Sequence, residues 1–130
     1  MKKQYIDVNG YWRVIVYYDA DYNSFYNVID DLKKLKVSNY TINKLVDNIF
    51  TRKAKGFTVS NRAFKTSIVV FGEHLNKYDY ANSIVHEAEH VKQAMLNAYD
   101  VADENEAPAY TIGYLVMKML EFYMDVLCSY

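Results

Sequence analysis

Apolar and polar positions alternate between two periods along this chain, and the changes of period mark its elements. Residues 11–18, YWRVIVYY, are β-branched and aromatic, with Gly10 before them and Asp19-Ala20-Asp21 after them. They predict a strand. Phe25, Val28, Ile29, Leu32 and Leu35 then recur at helical spacing, so residues 22–36 are expected to form an amphipathic helix. Asp30, Asp31, Lys33 and Lys34 occupy its solvated face. Ser38 is placed to cap a second helix, whose stripe is Ile42, Leu45, Val46, Ile49 and Phe50 and which fades by Lys55 and Gly56.

Residues 57–60 and 66–71 read as two short strands around a polar turn at Asn61 and Arg62. After a polar loop, residues 81–98 predict a third helix with Ile84, Ala88, Val91, Met95 and Ala98 on its buried face. The run YDVADENEAP interrupts the pattern, and a last helix is expected over residues 106–127. Its polar stripe is narrow (Thr111, Tyr114, Lys118, Glu121 and Asp125), so that helix should be packed on most sides. The order β-α-α-β-β-α-α, without repeat or linker, predicts one α+β domain over residues 1–130, with a short, mostly antiparallel sheet against helices.

Composition narrows the function. The chain has 130 residues, of which 52% are hydrophobic, and a net charge of −1. That is enough apolar material for a core, and no basic stripe points to nucleic acid. The longest apolar stretch, residues 107–117, ends at Lys118 and is too short to span a bilayer. Two lysines open the chain, but no apolar signal core follows, so a cytoplasmic location is expected. The single cysteine, Cys128, forms no intrachain disulfide and fits a reducing compartment. The chain has 14 tyrosines, expected mostly as half-buried rings with wet hydroxyls.

Two of the three histidines fall in His86-Glu87-Ala88-Glu89-His90, inside the third predicted helix. Residues four apart share a helix face, so both imidazoles can address one metal ion. Glu87 is rotated aside, able to reach a water on that ion without becoming a ligand. That is the arrangement of a zinc hydrolase: two nitrogen ligands, an open position and a general base. Downstream, Asp103, Glu104 and Glu106 precede the only proline, Pro108. Taken singly they are ordinary helix-start residues.

Together, HExxH and Asn105-Glu106-Ala107-Pro108-Ala109 resemble the gluzincin branch of the zincin metallopeptidases, in which a glutamate of a following helix completes the site. The run Glu104 to Tyr110 also looks like small peptidases encoded by phages and integrative elements, some of which act on repressors. The resemblance covers about residues 66–120. The metzincin extension is absent, because VKQAML follows His90.

The resemblance implies Zn2+ held by His86, His90 and Glu106, with Glu104 as the alternative third ligand. Glu87 would take a proton from the attacking water and deliver it to the leaving amine. Tyr110, Tyr114 or His74 would stabilise the oxyanion, His74 being equally readable as a surface loop residue. Asp100 or Asp103 would support a histidine from behind. A peptide or protein substrate would add as a strand to a sheet edge, at residues 57–60 or 66–71. Three other readings share these residues: an inactive zinc-binding relative, a core helix that carries two histidines by accident, and a non-haem iron site. The last would leave Glu87 without a task. Substrate identity and oligomeric state are open at this level.

Overall fold

The computed structural model describes residues 1–101 and 106–127, with side chains from Pro108 onward in the second range. The fold is α+β, and its elements follow the predicted order with one strand added in front. They are β1 (Lys2–Val8), β2 (Trp12–Tyr18), α1 (Phe25–Lys34), α2 (Asn39–Phe50), β3 (Gly56–Asn61), β4 (Thr66–Phe71), α3 (Lys77–Tyr99) and α4 (Glu106–Phe122). A π-helical turn over Tyr123–Leu127 extends α4.

The added strand has a local cause. Asn9 and Gly10 both take positive φ, 51° and 77°, and close a tight hairpin in which Tyr11 N donates to the Val8 carbonyl at 2.9 Å. Asn-Gly is a strong hairpin signal. Only Ile6 and Val8 of β1 are buried, so its apolar periodicity is too short to announce a strand.

The sheet order is β1-β2-β4-β3. β1 and β2 pair antiparallel, as do β3 and β4, whereas β2 and β4 pair parallel at the centre. The sheet is therefore mostly antiparallel. Its outer strands are β1 and β3. Of the two strands that could have offered an edge beside the motif helix, β4 is interior and β3 lies at the border.

Helices cover both faces. Val14, Val16, Tyr18, Val69 and Phe71 pack toward α3 and α4 with Ile84, Ala88, Val91, Leu115 and Met119. Tyr17, Ile68, Val70 and Phe57 pack toward α1 and α2 with Phe25, Val28, Leu32, Ile42 and Ile49. All six residues of β4 are buried, as expected of a central strand covered on both sides. Ser38 caps α2 as its sequence suggests, its side chain accepting from Thr41 N at 3.2 Å.

α4 is less enclosed than its composition implies. Leu115 and Met119 are buried, but Tyr110, Met117 and Met124 stand in solvent. Covered on one side by α3 and the sheet, the helix has more apolar residues than it has neighbours. Part of its expected polar stripe is instead turned to β1: Gln4 Nε2 donates to the Lys118 carbonyl at 3.0 Å, and the Tyr114 hydroxyl to the Asp7 carbonyl at 3.4 Å. Among the described residues no helix is long and apolar enough to cross a membrane.

Polar groups in this core are open to two tests. The Trp12 indole N–H, buried, donates to Ser67 Oγ at 2.9 Å, and Ser67 Oγ shares a 2.6 Å hydrogen bond with Ser60 Oγ. Ser67→Ala orphans the indole and should cost about 1–3 kcal/mol in urea unfolding. Burial first, and then the bond to Asp31, pushes the Tyr17 phenol up to about 12. Burial raises Tyr18 and Tyr80 as well. The folded chain thus keeps protons that the unfolded chain gives up near the ordinary tyrosine value of 10.0. The stability they contribute is fully present below that value and is lost as pH rises toward 12. Urea titrations across the alkaline range should show this loss, and Tyr17→Phe should make it shallower.

Candidate metal centre

α3 carries the motif, and both its ends are fixed. Asn76 caps it, with Oδ1 accepting from the amides of Tyr78 and Asp79 at 3.0 and 2.9 Å. Asp79, in the first turn, accepts from Leu75 N at 3.2 Å and pairs with Lys55, which stands just before β3. The Lys55 hydrogen bond, then that amide, hold its carboxyl below the usual carboxylate range. At the other end Asp100 is a left-handed cap with φ 55°, and Val101 N donates to the Leu96 carbonyl at 2.9 Å. The helix starts four residues earlier than its apolar spacing predicts, because Tyr80 joins the buried face ahead of Ile84.

Between these ends the buried face of α3 contains an acid. Glu87 is 5% exposed, among Ile84, Ala88 and Val91. A carboxylate in such a place is costly unless it is hydrogen-bonded. Its partner is Thr58 of β3, whose hydroxyl donates to Oε1 at 2.9 Å. Gly56, at the start of β3, is needed by the neighbouring strand: a Cβ there would stand 2.8 Å from the Val70 carbonyl oxygen, while at 3.6 Å from Glu87 Cγ it would make ordinary contact.

His86 and His90 lie on the adjoining, exposed stripe of α3. They do not point separately into solvent. Their Nε2 atoms face each other at 3.3 Å, with the rings at 81°. The second oxygen of Glu87, Oε2, is 3.9 Å from His86 Nε2. An N–H···N hydrogen bond accounts for the pair as it stands. The same spacing suits a shared ion: two nitrogens about 2.05 Å from one tetrahedral zinc stand roughly 3.3 Å apart. The histidine pair therefore fits zinc as two of its ligands, with a carboxylate oxygen beside it that neither histidine engages closely.

The other sequence candidates divide. Asp103 and Glu104 lie outside the described residues, as do Cys128 and the side chain of Glu106, although α4 begins at Glu106. Among the described residues no group of three or more His, Cys, Asp or Glu side chains is arranged to hold a metal. Asp100 is ten residues from His90, about 15 Å along the chain at helical rise, too far to support its ring.

Tyr110 is 73% exposed on α4. The Tyr114 hydroxyl is bonded at β1, three strand spacings or ~14 Å across the sheet from β3. That separation removes it from Glu87. His74 is neither a free surface residue nor an available donor. Its Nδ1 is 2.9 Å from the Gly72 carbonyl and must donate to it, and its Nε2 is 2.7 Å from Ser83 Oγ and accepts. Its ring also stacks on Tyr80 with centroids 4.2 Å apart. It ties the β4–α3 loop to the helix.

Thr58 is the site residue that the sequence reading missed. Its signal is the alternation in β3. Phe57 and Val59 pack toward α1 and α2, so Gly56, Thr58 and Ser60 face α3. A strand face of only small or hydroxylated residues leaves room for a polar group from the helix.

If His74 is a tether and not a donor to reacting groups, His74→Ala should lower stability by about 1–3 kcal/mol through two lost hydrogen bonds. Zinc content should stay as in the wild-type chain. Chemical denaturation and elemental analysis of the same sample check both parts. No family model, curated protein or solved structure matches the chain.

Proposed function

We propose that this chain is a small zinc-dependent peptidase of the gluzincin-like zincin type. The observation that carries the reading is the placement of Glu87. An acid is buried in the helix core with one oxygen held by Thr58 and the other 3.9 Å from a histidine whose Nε2 meets that of a second histidine at 3.3 Å. A helix that merely happened to contain two histidines would have no reason to keep a carboxylate there.

In this reading His86 and His90 hold the ion through Nε2, and Glu106, at the start of α4, is the third ligand. Bound there, zinc would polarise a scissile carbonyl and acidify a water. Glu87 would take the water's proton at Oε2 and return it to the leaving amine. Of the tyrosines offered for the oxyanion, Tyr110 remains the candidate, since Tyr114 is engaged at the far edge.

The two sheet edges differ in a way that supports an extended peptide as substrate. β1 carries Lys2 and Lys3, and its Asp7 carbonyl is taken by Tyr114. Such features guard an edge against pairing. β3, beside Glu87, contains no charged residue and no proline. A substrate strand would add along β3, its main chain bonded to the strand's outer edge and its scissile bond brought over the histidine pair. Unfolded or locally unfolded protein in the cytoplasm is the substrate class that can offer such a strand.

Element-resolved mass spectrometry of the untagged protein should find one zinc per chain, lost in His86→Ala. Glu87→Gln should keep the metal and lose at least about 100-fold in chelator-sensitive cleavage of unfolded casein. Zinc without cleavage in the wild-type chain would turn the reading to an inactive relative. No zinc, even when it is supplied, would leave α3 a core helix and end the proposal.

A further inference from the structure

Glu87 has two possible roles beside a divalent cation. It can stay back as a base or swing forward as a ligand, and a carboxylate that is free to turn is drawn toward the charge. A base that becomes a ligand blocks the position where water must sit. The helix turns Glu87 aside from the histidine stripe, but Oε2 is still only 3.9 Å from His86 Nε2, so a second restraint has to hold the carboxylate back.

The restraint comes from the strand. The Thr58 hydroxyl carries one proton, and at 2.9 Å it gives that proton to Oε1 of Glu87, with the Glu87 main-chain oxygen a further 3.5 Å contact. Ser60, the next residue on the same face, does not share this role, because its Oγ is taken by Ser67 at 2.6 Å. Thr58 thus fixes one oxygen and leaves Oε2 turned to the histidines. We infer that Thr58 is a positioning residue that latches Glu87 through Oε1, so that the carboxylate serves as a base and not as a metal ligand. This rests on the peptidase reading above.

The test is a double-mutant cycle in zinc affinity, read by competition with a fluorescent chelator and independent of any substrate. Thr58→Val removes the hydroxyl at nearly constant volume. It should tighten zinc about tenfold, because the released carboxylate joins the ion and adds its attraction for the cation. Thr58→Ser should match the wild-type chain. In a Glu87→Gln background, Thr58→Val should have no effect on affinity, which a merely structural role for Thr58 would not predict. With unfolded casein as probe, Thr58→Val should lower kcat and leave KM unchanged.

Equal affinity in wild type and Thr58→Val, or a Thr58→Val effect that persists in the Glu87→Gln background, overturns the latch while sparing the peptidase. Absence of zinc from every variant, wild type included, sinks the peptidase reading and the latch with it. Thr58→Ala repeats the cycle if the valine does not fold.

Discussion

β4 has no face in water, and a four-stranded sheet can meet that demand only with helices on both sides. Much of the layout follows from this. The chain leaves β2 on one face, builds α1 and α2 there, and returns through β3 and β4. It then crosses to the other face for α3 and α4. β4 must lie inside, so β3 is left at the border of the sheet. The helix that follows β4 packs beneath that border. The juxtaposition of motif helix and outer strand is thus a consequence of burying TSIVVF.

Within that layout, α3 has to satisfy two demands with one sequence. Tyr80, Ile84, Ala88, Val91 and Met95 recur every three or four residues and dock the helix on the sheet. His86 and His90 share the neighbouring stripe and face outward. Glu87 falls between the two stripes and is buried by the packing that the apolar residues drive. The histidine pair can be lost without disturbing the core, whereas the acid is part of it. The Thr58 hydroxyl makes that burial tolerable.

What the sequence made legible was whatever repeated. The stripes of α1, α2 and α3 and the spacing of the two histidines are periodic, and each could be read from the residues alone, whereas TSIVVF read as a strand without showing that it lies inside the sheet. β1 could not, since only Ile6 and Val8 carry its pattern; its mark was the Asn9–Gly10 turn, a signal of two residues. The enclosure of α4 was overread, because an apolar helix gives no count of the neighbours available to cover it. Contacts between distant segments were out of reach. Nothing near His74 announces Ser83, and nothing near Thr58 announces Glu87, 29 residues on. Those pairings exist only once the sheet order is known.

The buried acid also carries a cost of its own. A well-packed apolar residue at position 87 would avoid the cost of desolvating a carboxylate, and Val91 one turn later occupies a similar environment without penalty. Glu87 carries that cost instead, offset by a hydroxyl from another element. That cost is in keeping with the proposed role as a base, in which Oε2, 3.9 Å from His86 Nε2, would be the working oxygen.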